Sequence, residues 1–213
     1  MKKQTTAAVV ATAALASLGL TAIAPASASG QGTTGTTSLA EVLAADGLEF
    51  DSNWRDFDIV DQAVNDVIAD DPESPVAVLA DGSQRLTAFV PTDRAFRRLV
   101  EDLTGTKPAD EEATYDAVAS LGLDTVESVL LYHVVPGATI TYRAAKKADG
   151  ARLVTANGAK VRVDYKRRLD LLFLVDQDRD DRNAFVLPAA RNLNQGNRQI
   201  AHGVPYVLRP IDL

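Results

Sequence analysis

The stretch LLYHVVPG, residues 130–137, places a tyrosine and one of the chain's two histidines inside a run of leucine and valine and ends it with Pro-Gly. A buried polar side chain costs about 1–3 kcal/mol unless it finds a hydrogen-bond partner. Because buried polar groups nearly always have such a partner, we interpret His133 as a structural residue that binds a backbone group and fixes the turn at residues 135–137. The alternative is that Tyr132 and His133 serve catalysis or recognition.

The segments around this stretch predict helices in the first half of the chain and strands in the second. A capping box of Ser38 and Glu41 starts the first helix. The predicted helices cover residues 38–45, 57–69, 93–104, 111–121 and a segment from residue 124, with an apolar strand over 86–90. The later strands cover residues 152–155, 160–165, 169–175, 185–187, 199–202 and 206–211. Strand 169–175 is apolar on both faces, so we expect it in the middle of its sheet and buried on both sides. This order predicts an α+β domain.

The first 28 residues have the composition of a secretory signal peptide, in which two lysines precede an apolar stretch and a small-residue cleavage site. We predict cleavage after about Ala28, and therefore a secreted, extracellular protein. Residues 29–38 are rich in glycine and threonine and predict a flexible linker. The folded domain is predicted over residues 39–213.

The composition argues against several classes of partner. Loss of the signal peptide leaves 20 basic residues against 29 acidic ones, a net charge of about −9. Because lysine and arginine contacts to phosphate supply most of the affinity for nucleic acids and anionic membranes, we predict no nucleic-acid partner and no membrane insertion. The chain has no cysteine, and therefore no disulfide, no thiolate metal site and no cysteine nucleophile.

Motifs of catalytic, cofactor and metal sites are also missing. There is no nucleophile elbow, Walker loop or H-E-x-x-H zinc motif. The letters GQGTTG, residues 30–35, match a dinucleotide fingerprint but follow the predicted signal peptide instead of a strand. The acidic loop DQDRDD, residues 176–181, lacks the glycine and final glutamate of an EF-hand, which leaves a weak calcium contact or a solvated connection. We predict no cofactor, no metal site and no enzyme, although a triad assembled from distant segments cannot be recognised in a sequence.

Three segments together resemble the signatures of the fasciclin (FAS1) domain family: LTAFVPTDRAF at residues 86–96, LLYHVVPG, and NRQIAHGVPYVLRPIDL at 197–213, which resembles the closing strand pair. The resemblance implies a wedge of two β-sheets with a helical layer, in an extracellular module associated with adhesion. In animal adhesion proteins of this family the equivalent Tyr-His segment is associated with integrin binding, which implies a general ligand-binding role for Tyr132 and His133. An insertion before the last segment, residues 175–197, suggests a binding surface particular to this branch.

Two functions remain open at this stage. The first is a secreted, non-catalytic binding module that contacts a protein or glycan at the cell surface or in the extracellular matrix. The second is a carrier of a small apolar or aromatic ligand in a pocket between the helices and the sheet. The sequence predicts neither the identity of the partner nor the oligomeric state.

Overall fold

The computed structural model describes residues 34–45, 47, 49–178 and 181–211. The predicted signal peptide and the first part of the predicted linker lie outside them. The α-helices are α1 (Leu39–Leu43), α2 (Asp58–Asp70), α3 (Asp93–Thr104), α4 (Glu111–Ala119), α5 (Leu123–Tyr132) and α6 (Tyr142–Lys147). The strands are β1 (Leu86–Pro91), β2 (Val134–Pro136), β3 (Arg152–Val154), β4 (Lys160–Lys166), β5 (Leu171–Val175), β6 (Ala184–Phe185) and β7 (Gln199–Val204). Short 3₁₀ helices cover Pro75–Leu79 and Pro188–Ala190.

The strands form two sheets. The first has the order β2-β1-β7, with β1 antiparallel to β2 and parallel to β7. The second has the order β3-β4-β5-β6 and is antiparallel throughout. The predicted α+β class, with two sheets and a helical layer, is confirmed.

Strand β1 separates two hydrophobic cores. Leu86, Ala88 and Val90 pack into the first core together with side chains of helices α1 to α5. Phe89 belongs to the second core, which lies between the two sheets and includes Tyr132. Because successive side chains of a strand point to opposite faces, this one strand contributes to both cores, and all six of its residues are buried.

Most local predictions are confirmed. The capping box is present, since the Ser38 hydroxyl accepts from the Glu41 amide at 3.2 Å and a Glu41 carboxylate oxygen accepts from the Ser38 amide at 2.8 Å. Gly105 ends α3 with a left-handed backbone, φ 69°. Gly122, rather than Asp124, precedes the first residue of α5, and no side chain caps that helix.

Two strand predictions need correction. Strand β5 lies between β4 and β6, but its burial alternates: Leu172 and Leu174 are buried, whereas Leu171, Phe173 and Val175 are only partly buried. One of its faces therefore packs into the core, not both. The predicted strand at residues 206–211 is absent, because the backbone amides of Leu208 and Arg209 donate to the side chains of His133 and Asp176 instead of to a neighbouring strand.

The described part of the predicted linker is attached to the domain. The Gly35 amide donates to the Gly196 carbonyl at 2.9 Å, and the Thr37 amide donates to the Asn197 side chain at 3.1 Å. Gly82 makes this attachment possible, since a Cβ atom at this position would lie 1.7 Å from the Thr36 carbonyl oxygen. Residues 35–37 therefore contact the folded domain, and the flexible linker over residues 29–38 stays a prediction.

Candidate functional site

The two residues singled out in the sequence, Tyr132 and His133, lie in the interior. Tyr132 is 0 % exposed, and its hydroxyl donates to the Lys160 carbonyl at 3.1 Å. His133 is 4 % exposed; its Nδ1 lies 2.7 Å from the Val129 carbonyl, and its Nε2 lies 2.8 Å from the Leu208 amide. A carbonyl only accepts and an amide only donates, so Nδ1 carries the proton and Nε2 accepts.

The surroundings keep both side chains uncharged. Burial lowers the pKa of His133 to about 4, so the imidazole is neutral at physiological pH. Burial, with a smaller contribution from the charge of Asp176, raises the pKa of the Tyr132 hydroxyl above its usual value. Both ring nitrogens of His133 are occupied by the backbone, which leaves no atom to hold a substrate or ligand in this arrangement. The binding role implied for Tyr132 and His133 stays a prediction.

Both ring nitrogens of His202, the second histidine, also form hydrogen bonds to backbone groups. Its Nε2 donates to the Ile140 carbonyl at 2.9 Å, and its Nδ1 accepts from the Asn192 amide at 3.2 Å. Burial lowers its pKa as well. Both histidines therefore connect distant backbone segments as neutral hydrogen-bonding groups.

The surface offers a more open candidate, a groove with a volume of about 630 Å³. The segment before α2 and the start of α3 form one wall, and the insertion predicted at residues 175–197 forms the other. Four aromatic side chains line it, namely Trp54, Phe57, Phe185 and Tyr206. Arginine supplies all the charged lining residues, namely Arg55, Arg94 and Arg98. We call this surface the arginine–aromatic groove.

Local contacts hold the groove in shape. The Arg94 amide donates to the Trp54 carbonyl at 3.1 Å, which attaches the segment before α2 to the start of α3. Arg98 donates to the Pro205 carbonyl at 2.8 Å, and its guanidinium lies 4.8 Å from the centre of the Tyr206 ring. Arg55 and Arg94 are exposed and reach into solvent. The groove therefore has a fixed aromatic surface and two arginines available to an incoming group.

Comparison with known families agrees with this architecture. The fasciclin domain model matches residues 72–209, which is more than half of the chain. The chain belongs to the fasciclin domain family. Fasciclin domains are generally adhesion-related, non-catalytic modules, and are typically extracellular or secreted.

The fasciclin domain also resembles a solved structure, a FAS1 domain pair from the insect cell adhesion molecule fasciclin I. The two share 16 % sequence identity and a TM-score of 0.49, over 71 % of this chain and 47 % of the insect chain. The chain thus spans about half the length of that structure. None of the curated proteins matches this chain. Among the described residues of this fasciclin domain, no helix is long and apolar enough to cross a membrane.

An arginine pairs with two carboxylates of the described part of the acidic loop, residues 176–178 and 181. Arg209 is 6 % exposed at its side chain and forms ion pairs with Asp178 at 3.3 Å, Asp181 at 3.3 Å and Asp102 at 2.6 Å. The loop is therefore attached to the domain by charge, not merely solvated. Asp178 and Asp181 both pair with a positive charge, which argues against calcium at these two carboxylates.

The sequence identified only one side of the groove. The insertion, which the sequence predicts to form a binding surface, contributes Phe185 and residues 187–190. Trp54 and Phe57 gave no signal, because a single tryptophan and phenylalanine in a short connecting segment fit a core or a surface equally well. Their position beside the insertion depends on the docking of residues 54–57 against α3.

Proposed function

We propose that this fasciclin domain is a secreted, non-catalytic binding module that uses the arginine–aromatic groove to hold an acidic segment of a partner protein at the cell surface or in the matrix. The observation that carries the proposal is the local charge of the groove. The chain as a whole has a net charge of −7, yet every charged residue that lines the groove is an arginine. The contrast favours an anionic group at this place on the surface.

The side chains of the groove fit a protein partner better than other anions. Tryptophan, tyrosine and arginine are enriched among the residues that dominate protein interfaces. Trp54 and Tyr206 offer flat apolar surface, and each is stacked with an arginine: Arg97 lies 4.1 Å from the centre of the Trp54 ring, and Arg98 lies against Tyr206. Such fixed rings lose little conformational entropy on binding. The alternative partner is a glycan, and the retention assay below distinguishes it from a protein.

A specific observation supports the second candidate function, that of a carrier. The volume of about 630 Å³ lies within the range of about 300–1,000 Å³ of small-molecule sites, and aromatic rings form much of its lining. The arginines would then hold the carboxylate of an aromatic or apolar acid. Native mass spectrometry of the purified protein tests this function, since a carrier is expected to retain a small molecule that denaturation releases.

A retention assay on cell-envelope fragments tests the proposed function. The secreted protein is incubated with fragments at low and high salt, and the bound fraction is measured for the wild type and for the Arg55→Glu/Arg94→Glu variant. Reversal of two exposed charges is expected to lower the apparent affinity about tenfold, which corresponds to about 1.4 kcal/mol. The wild type is expected to bind more weakly at high salt because salt screens exposed charges.

The matched control is Arg167→Glu/Arg168→Glu, which changes the net charge by the same amount at the exposed turn between β4 and β5. This control is expected to bind like the wild type. Protease treatment of the fragments is expected to abolish binding. Binding that survives protease but is lost after glycan removal would replace the protein partner with a glycan, and equal loss in both variants would contradict a role for the groove.

A further inference from the structure

Five carboxylates meet beside the groove, at a place where three helices begin. Asp58, Asp93 and Glu111 are the first residues of α2, α3 and α4. Asp51 and Asp56 come from the segment before α2. Acidic residues are favourable at helix N-termini, so one carboxylate at each start has an ordinary explanation. The presence of all five carboxylates at one place needs a further explanation.

The amides at this place use only some of the carboxylate oxygens. Asp93 Oδ1 accepts from the Ile59 amide at 2.9 Å, and Glu111 Oε2 accepts from the Asp51 amide at 2.7 Å. The other oxygen of each, Asp93 Oδ2 and Glu111 Oε1, is buried without a hydrogen-bond partner, as is Asp56 Oδ1. Asp93 and Glu111 are both 0 % exposed. An ionised carboxylate only accepts hydrogen bonds, so these groups cannot satisfy one another in their charged form.

The spacing of the oxygens suits a bound cation. One oxygen from each of Asp51, Asp56 and Glu111 lies within 4.8 Å of the others, and the same holds for Asp56, Asp58 and Asp93. Calcium binds oxygen at 2.3–2.6 Å, so two ligands of one ion lie at most about 5.2 Å apart. Each set therefore fits the coordination sphere of one ion, and Asp56 belongs to both sets.

Three carboxylates of the cluster form no ion pair with another described residue. Within the part of the chain that the structure describes, none of the ion pairs includes Asp56, Asp93 or Glu111. A buried carboxylate without a charged partner is unstable in its ionised form. The charged form of the cluster is thus costly unless something positive lies between the carboxylates.

We propose that Asp51, Asp56, Asp58, Asp93 and Glu111 form a site for one divalent cation of the calcium type. Oxygen donors alone select a hard cation. Calcium accepts six to eight oxygen ligands in flexible geometry, whereas magnesium demands a near-ideal octahedron and keeps several of its waters. A set of carboxylates from four segments, of which only Asp51 is exposed, suits calcium better. The bound ion would join the segment before α2 to the starts of three helices, and this holds whatever the groove binds.

Calcium titration of the purified, full secreted protein tests the site. The protein is stripped with a chelator, dialysed, and titrated with calcium chloride in a calorimeter, and thermal unfolding is followed in parallel. We expect one ion per chain, with a Kd of about 10⁻⁴–10⁻³ M or tighter, as for extracellular calcium modules. The melting temperature is expected to rise with calcium concentration, because the ion binds the folded state.

Two conservative variants locate the site. Asp93→Asn and Glu111→Gln each keep an oxygen for the amide that they now accept from, but remove the charge. Each is expected to weaken calcium binding at least about tenfold, since one of five anionic ligands is lost. In the metal-free state each is expected to melt at a higher temperature than the metal-free wild type, because repulsion in the cluster is relieved. This second result separates loss of the site from loss of the fold.

Asp116→Asn is the matched control, an exposed carboxylate on the same helix as Glu111. It is expected to bind calcium like the wild type. The proposal is overturned if about 10 mM calcium, well above the weakest such sites, produces neither heat nor a shift in melting temperature. Shared protons would then compensate the cluster. An unchanged calcium response in Asp93→Asn and Glu111→Gln, or an equal response to magnesium, would also overturn the assignment.

Discussion

His133 accepts a hydrogen bond of 2.8 Å from the backbone amide of Leu208, a residue 75 positions further along the chain. Through its other ring nitrogen it donates to Val129, one turn earlier in α5. The imidazole thus joins the end of α5 to the C-terminal segment. The predicted hydrogen bond to the backbone is present, but its partners are Val129 and Leu208 rather than the turn at residues 135–137.

Replacement of this histidine tests its structural role. His133→Ala leaves the Val129 carbonyl and the Leu208 amide without partners, which is expected to cost about 1–3 kcal/mol of unfolding free energy. The melting temperature should fall by several degrees, as measured by circular dichroism, while the folded variant keeps its retention on envelope fragments. An unchanged melting temperature together with lost retention would instead place Tyr132 and His133 in recognition.

The stability of the domain should depend on pH through the same residue. The pKa of His133 is about 4 when folded, and about 6.5 is expected in the unfolded chain. Between these pH values the unfolded state binds the proton more readily than the folded state. The stability that the neutral His133 contributes is therefore fully present above about pH 6.5 and is lost as the pH falls to 4. The shift corresponds to about 3 kcal/mol.

Denaturant unfolding of the wild type and of His133→Gln between pH 4 and pH 7 measures this contribution. Asp176 acts in the opposite direction, because burial raises its pKa to about 6 and its proton favours the folded state at low pH. The difference between the unfolding free energies of the two proteins at each pH removes the effect of Asp176, because both proteins retain this residue. A difference in stability that stays constant over this pH range would contradict the prediction.

Arg209 provides a third prediction. Arg209→Met removes the guanidinium that pairs with the buried Asp178 and the partly buried Asp181, and is expected to lower the unfolding free energy by about 3 kcal/mol. The double variant Arg209→Met/Asp178→Asn removes one of these charges and should recover part of the loss. Chemical denaturation measures both. Equal stability of the two variants would show that Asp178 does not depend on Arg209.

Gly82 provides a fourth prediction, on the N-terminal segment. In Gly82→Ala the new methyl group would lie where the Thr36 carbonyl now approaches, so the segment must move away. The Gly35 and Arg198 amides form the hydrogen bonds between the N-terminal segment and residues 196–198. Hydrogen exchange at these two amides is expected to become faster. The neighbouring substitution Ser83→Ala is the control and should leave both amides protected. Unchanged exchange in Gly82→Ala would contradict the attachment.

The local structure could be predicted well because its causes lie close together in the chain. The Ser38–Glu41 capping box, the apolar face of α2 and the end of α3 at Gly105 each depend on a few neighbouring residues. The absent strand at residues 206–211 shows the limit of such patterns. Its alternation is genuine, but His133 and Asp176 take the amides of Leu208 and Arg209 that a strand would need.

The candidate sites were harder to predict because they join residues far apart in sequence. Asp56, Asp93 and Glu111 follow no ligand spacing that a motif search recognises, and Asp93 and Glu111 each look like an ordinary helix-start acid. Arg209 likewise gave no sign that it pairs with the acidic loop.

By itself, the sequence of this fasciclin domain determined the α+β class, the family signatures and most helix and strand positions, because period, caps and turn residues act over a few positions. Only the tertiary structure decided which atoms the two histidines bind, which walls form the groove, and that five carboxylates converge. These features arise when distant segments pack together, and the free energy of that packing depends on contacts between residues from the whole chain.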